Sequence, residues 1–128
     1  MGNDAMNVSV GTDIIEVDRI KKAMQDDNFR NRVFTENEII YCETKNEDIK
    51  FQHYAARFAG KEAVFKAVSQ YLDNKYSINW LDVEIIDNEQ GKPTVIIKNN
   101  KLDNAKLDIS LSHIKKVAIA TAIAYLDN

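Results

Sequence analysis

The stretch A-R-F-A-G-K-E-A-V-F-K-A, residues 56–67, decides how this chain is read. It sits inside the longest helical signal, from Lys50 to Leu72, which holds no proline and only Gly60 among its glycines. On a helical wheel Phe51, Ala55, Phe58 and Phe65 share one stripe, and Glu62 falls inside it, about 20° from Phe51. A carboxylate taken out of water without a partner costs several kcal/mol, roughly, so something must compensate Glu62. Two compensations are open. Lys66, four residues on, makes an ordinary helix pair. A hard cation such as Mg²⁺ takes one or two carboxylates and leaves its other positions to water and phosphate oxygens. Lys61, on the opposite flank, reads as a solvated helix edge in preference to a second cation reaching phosphate oxygens.

Outward from the helix the pattern changes character. Before it, N-V-S-V-G-T-D (7–13) alternates Val8, Val10 and Thr12 against Ser9, Gly11 and Asp13, the period of a short strand. Val17, Ile20, Lys21 and Met24 then follow helical spacing, D-D-N (26–28) reads as a loop, and T-E-N-E (35–38) is a capping box that predicts a helix from Thr35 to about Glu43. D-N-K (73–75) closes the long helix. Beyond it, L-D-V-E-I-I (81–86) and T-V-I-I-K (94–98) flank N-E-Q-G-K-P, a hairpin turn. K-L-D-I-S-L-S-H (106–113) alternates Leu107, Ile109, Leu111 and His113 against polar residues. V-A-I-A-T-A-I-A-Y-L (117–126) is apolar throughout, and its branched residues at 117, 119, 121 and 123 favour a strand over a buried helix. Helices first and antiparallel strands later predict an α+β fold in one domain, residues 6–128. Residues 1–5, M-G-N-D-A, precede a second methionine and are read as a cloning-derived or disordered N-terminus.

Composition narrows the function classes. The 128 residues suffice for one real core. A net charge of −3 and a pI near 5.4 argue against a nucleic-acid-coating protein. The single cysteine, Cys42, excludes an intrachain disulfide framework and fits a reducing compartment, where it reads as packing rather than nucleophile. No apolar run approaches the ~20 residues of a membrane span, and no secretory signal opens the chain, so a cytoplasmic location is expected.

A metal at Glu62 needs a second oxygen ligand. Asp13, behind Gly11 at the end of the first strand, is the natural choice; an aspartate ahead of a helical run is also a common N-cap. With both residues in view the chain resembles a known family. G-T-D followed by I-I-E-V-D-R-I (11–20) and F-A-G-K-E-A-V-F-K (58–66) are similar to the two signatures of the holo-acyl-carrier-protein synthases, the short class of 4′-phosphopantetheinyl transferases. G-K-P (91–93) and the closing I-S-L-S-H (109–113) also match, in order and across nearly the whole chain.

The resemblance implies transfer of the phosphopantetheine arm of coenzyme A to a serine of apo-acyl carrier protein, releasing adenosine 3′,5′-bisphosphate. It implies Asp13 and Glu62 as Mg²⁺ ligands, with Lys66 completing the catalytic group and reaching phosphate oxygens. It places His113 on a coenzyme A phosphate, against the alternative of a core histidine. It makes Arg57 a site for the nucleotide's 3′-phosphate, against a plain surface arginine. Gly91, Lys92 and Pro93 would lie near the nucleotide. Arg19, Lys22, Arg30 and Arg32 would receive the acidic carrier, chiefly setting encounter rate and orientation. Two departures stand out: Asp26, Asp27 and Asn28 occupy a loop that is basic in several relatives, and Ile114 follows His113 where a small hydroxyl residue is common. The short class resembles trimers that share active sites between subunits, so a homotrimer is expected. The rival readings are a Mg²⁺-dependent phosphohydrolase using the same carboxylates, and a non-catalytic carrier-protein- or nucleotide-binding module in which Glu62 merely pairs with Lys66.

Overall fold

A 22-residue helix, α4 (Glu47–Val68), is the axis on which everything else is laid in the computed structural model, which describes residues 7–73 and 77–126. The expected N-terminal appendage, residues 1–5, and two residues of the D-N-K closure lie outside the described residues. Chain order is β1 (Asn7–Glu16), α1 (Val17–Ala23), α2 (Asp27–Val33), α3 (Glu36–Glu43), α4, β2 (Val83–Asp87), β3 (Pro93–Ile97), β4 (Ala105–His113) and β5 (Val117–Leu126). Single 3₁₀ turns occupy Ser69–Tyr71, Trp80–Asp82 and Asn100–Leu102. The α+β expectation holds.

Strands β1, β5 and β4 form an antiparallel sheet in that order, and β2 and β3 a separate hairpin beside β4. The closing apolar segment is a strand, paired along both edges. One face of β5 carries Ala118, Ala120, Ala122 and Ala124, all buried, and β1 sets Gly11 opposite Ala122. That small-residue floor lets α4 come very close. A methyl added to Gly11 would lie 2.0 Å from the Ala63 carbonyl oxygen, so only glycine fits. Gly60 does the same job on the other side, against Ile85, Ile109 and Leu111. Two cores result: α4 with both sheets (Ala63, Val64, Val83, Ile85), and the first half of α4 with α1, α2 and α3 (Ile20, Val33, Phe34, Tyr54).

Several local expectations change. β1 runs three residues past Asp13, and Val8, Val10 and Ile14 point outward, Val10 62% and Ile14 64% exposed, while Gly11, Asp13 and Ile15 face inward. The small face wins the helix because its backbone can be approached; the branched face is left as an uncovered apolar surface with Ile119 and Ile123. D-D-N is not a loop but the start of α2, with Asp26 as N-cap accepting from the Asn28 amide at 2.9 Å. The buried face of α4 is richest in alanine, with Gly60, Tyr54, Val64, Arg57 and Lys61 among it, and Phe51, Phe58, Phe65 and Glu62 are half-buried along its edge. Its regular part begins at Glu47 and ends at Val68.

Lys61 is the largest reversal. It is fully buried, 2.6 Å from Glu38, and donates to the carbonyls of Val33 and Trp80. Glu38 belongs to the capping box at Thr35 and also accepts from the Ile85 amide at 2.8 Å. One buried ion pair therefore ties α3, α4 and β2 together. A helix wheel cannot foresee this, because the groups that neutralise Lys61 come from other elements.

Candidate active site

Asp13 stands inside β1, with Glu16 rather than Asp13 at the N-cap position of α1. It shares parity with Gly11, so its carboxylate turns toward α4, which presents Glu62 and Lys66 one turn apart. Lys66 Nζ lies 3.2 Å from Asp13 Oδ1 and donates to the Thr12 carbonyl at 3.0 Å. The helix lysine therefore pairs with the strand aspartate. Among the described residues Glu62 has no hydrogen bond or ion pair. Burial, and secondarily the negative charge of Asp13, push its carboxyl above the usual range, while Lys66 pulls it back. A half-buried carboxylate beside a second one is a site short of positive charge.

Two carboxylates are too few for an all-protein metal cage, and no group of three or more His, Cys, Asp or Glu side chains converges among the described residues. They fit Mg²⁺, which keeps several positions for water and substrate phosphate. Glu62 and Lys66 line a cleft of about 490 Å³ whose other walls are Phe65, Ser69, Ile78 and Trp80. Trp80 stacks on Phe58 at 5.1 Å and meets Phe65 edge-on at 5.0 Å, an aromatic wall beside a charged mouth. Trp80, the chain's one tryptophan, belongs to no motif that points to this cleft, and only folding brings it there.

The remaining expected residues form other groups within one chain. Arg57 is not a surface arginine: it is 2% exposed, 3.3 Å from Asp87 Oδ1, and its guanidinium lies 4.1 Å over the Tyr41 ring. Among the described residues its Nε is buried without a hydrogen-bond partner. His113 ends β4 on the inner face, half-buried rather than in the core, with Nδ1 2.8 Å from Gln52 Oε1 and its ring 4.9 Å from that of His53. Gln52, His53 and Asp87 carried no sequence signal, since only folding assembles them.

Gly91, at φ 81°, turns the β2–β3 hairpin. Lys92 pairs with Asp108 at 2.7 Å, and with Pro93 it lines a separate cavity of about 340 Å³ against Ser110 and Thr121. Arg19 and Lys22 are exposed on α1 and Arg32 on α2, while Arg30 is held by Asp27 at 3.1 Å. The acidic start of α2 thus ties up one of the four expected carrier-facing cations.

A cleft with a charged carboxylate–ammonium mouth and an aromatic wall thus stands on this helix-and-sheet frame. The family model of the 4′-phosphopantetheinyl transferase superfamily matches residues 9–122. Holo-[acyl-carrier-protein] synthases of Ruminiclostridium cellulolyticum and Protochlamydia amoebophila are 41% and 42% identical to the chain; the first match covers 94% of both chains, the second 92% of this one and 98% of the relative. A crystal structure of a Bacillus anthracis holo-(acyl-carrier-protein) synthase in complex with CoA (3′,5′-ADP) superposes with a TM-score of 0.80 at 33% identity, over 95% of this chain and 99% of that one. The chain belongs to the 4′-phosphopantetheinyl transferase superfamily and, within it, to the holo-[acyl-carrier-protein] synthase family.

Proposed function

We propose that this chain, as one domain over residues 6–128, transfers the 4′-phosphopantetheine group of coenzyme A to a serine of apo-acyl carrier protein. The observation that carries the reading is that Lys66, which lines a cleft with Glu62, pairs with Asp13, whose charge also bears on Glu62, in a chain that aligns along its length with holo-[acyl-carrier-protein] synthases. Asp13 and Glu62 would hold Mg²⁺, which when bound offsets diphosphate charge and orients the phosphate oxygens. Lys66 supplies an ammonium beside the same oxygens, where charge shifts in the transition state. The serine oxygen bonds to the β-phosphorus as the bond to adenosine 3′,5′-bisphosphate breaks, and its proton passes to water or a carboxylate at the mouth. The aromatic wall suits the pantetheine arm. Arg57, His113, Gly91, Lys92 and Pro93 serve the nucleotide, and Arg19, Lys22, Arg30 and Arg32 the acidic carrier.

The functional unit in this reading is a homotrimer. The support is the uncovered apolar face of β1 and β5 (Val8, Val10, Ile14, Ile119, Ile123), a surface of the kind that marks an interface. The separation of the Lys92 cavity from the Glu62 cleft within one chain adds to it.

Incubation with coenzyme A, Mg²⁺ and apo-carrier, followed by intact mass of the carrier, tests the function; a gain of ~340 Da is expected from a phosphopantetheine attached to serine. Hydrolysed coenzyme A with unmodified carrier would turn the reading to a phosphohydrolase, and no turnover to a binding module. Chelation with EDTA abolishes the gain and Mg²⁺ restores it. Analytical ultracentrifugation at three times the chain mass supports the trimer, and a monomer overturns it.

A further inference from the structure

The contact between His113 and Gln52 has chemical consequences for anion binding. An amide oxygen carries no hydrogen, so at 2.8 Å the proton between Gln52 Oε1 and His113 Nδ1 belongs to the ring. Nδ1–H donates, and in the neutral imidazole Nε2 is then a bare acceptor, unable to donate to a phosphate. The ring is held on another edge by His53, which is itself edge-on to Tyr41 at 5.7 Å between centroids. The charged and titratable groups around this pair are Gln52's neighbours on α4, His53 and Arg57; Tyr41 of α3 and Lys45 just beyond it; Asp87 at the end of β2; and, in the cleft that Gln52 lines, Asp18 and Lys21 of α1, Glu47 and Asp48 of α4, and Lys115 and Lys116 of the β4–β5 turn. On the His53 side Arg57 and Lys45 face one carboxylate, Asp87, and among the described residues Arg57 Nε is buried without a hydrogen-bond partner. An anion is welcome here. A charged histidine without an anion is not, and burial followed by Arg57 holds His113 below the ordinary imidazole range.

We propose that Gln52 is a positioning residue that sets the tautomer of His113, so that the ring meets a coenzyme A phosphate only as imidazolium, donating from Nε2 while Nδ1–H stays on Gln52. The inference rests on the coenzyme A reading above. Binding then takes up one proton from solvent onto Nε2. Coenzyme A affinity strengthens as pH falls through the range between the titration of the complex and that of the free ring, and it is lost above that range.

Two variants and one spectrum test this. Gln52→Leu raises the KM for coenzyme A about fivefold, the scale of one hydrogen bond, with kcat little changed. Gln52→Glu, whose carboxylate favours imidazolium, keeps a low KM to higher pH than the wild type. The chain has two histidines, so ¹⁵N spectra of histidine-labelled protein are assigned with His53→Phe. They are expected to show His113 protonated on Nδ1 in the wild type and a mixed tautomer in Gln52→Leu. An Nε2–H tautomer in the wild type, or a Gln52→Leu variant with unchanged KM and pH profile, overturns the assignment. Should the wild type leave apo-carrier unmodified, the transferase reading fails on its own, and the spectrum, which needs no turnover, still decides the role of Gln52.

Discussion

Lys66 on α4 reaches 3.2 Å across to Asp13 on β1, so the helix that carries Glu62 is pinned by charge to the strand that carries the second carboxylate. Removing either carboxylate tests their shared role. Asp13→Asn and Glu62→Gln are each expected to lower carrier modification by at least about a hundredfold, the usual cost of losing one electrostatic stabiliser. Circular dichroism and sedimentation should be unchanged, because Glu62 makes no hydrogen bond or ion pair among the described residues and Asp13 makes a partly exposed one. Near-wild-type turnover in either variant would remove that residue from the metal site.

Gly11→Ala should be among the most damaging single-methyl changes available. The new Cβ would sit 2.0 Å from a backbone oxygen that cannot swing aside, and α4 would have to leave the sheet. A loss of about 3 kcal/mol or more in urea unfolding, or insoluble protein, is expected. Gly91→Ala, at a turn with open space around it but a positive φ, should cost only about 1 kcal/mol.

Lys61→Met leaves Glu38 buried opposite a thioether. Breaking a buried pair costs about 3–5 kcal/mol, and chemical denaturation should show it. Adding Glu38→Leu should not restore stability, because Glu38 also accepts from the amides of Thr35 and Ile85 and its loss orphans both.

Acid should weaken the fold through His53. Burial, followed by the nearby His113 and Arg57, lowers its pKa to about 4 in the folded chain. Below about pH 6.5 the unfolded chain therefore binds a proton that the folded chain refuses, so stability falls with pH until about pH 4 and is flat for this group above 6.5. His53→Phe should have a shallower decline in melting temperature between pH 7 and 5. An equal slope would show that other groups govern it.

Cys42 is buried, and burial pushes its thiol up to about 12. In the native protein it should resist an aromatic disulfide reagent at pH 8 and react only after denaturation. Fast native-state labelling would contradict its place in the core.

Much of this architecture was legible from local pattern. The capping box at Thr35 depends on residues three apart and appears as expected. The closing strand declared itself through alternating branched residues and alanines, and the hairpin through Gly91 and Pro93. What failed locally failed for a tertiary reason. Lys61 looked solvated because its partners, Glu38, Val33 and Trp80, lie on three other segments. The burial of Arg57, for which a plain surface position was the alternative to a phosphate site, was not legible because Tyr41 and Asp87 enclose it only after folding. The loop at Asp26 proved to be a helix start because its few residues carry too short a period to read.

By itself the sequence determined the long helix and the ordered motifs, since each rests on residue type and short spacing; Asp13 and Glu62, 49 residues apart, were joined as candidates only by the family resemblance those motifs carry. The tertiary structure alone decided which face of β1 meets α4. Strand alternation offers two faces and does not rank them, and here close backbone approach favours the side of Gly11 over the side of the valines. That choice turns Asp13 toward Lys66 and leaves Val8, Val10 and Ile14 in the open.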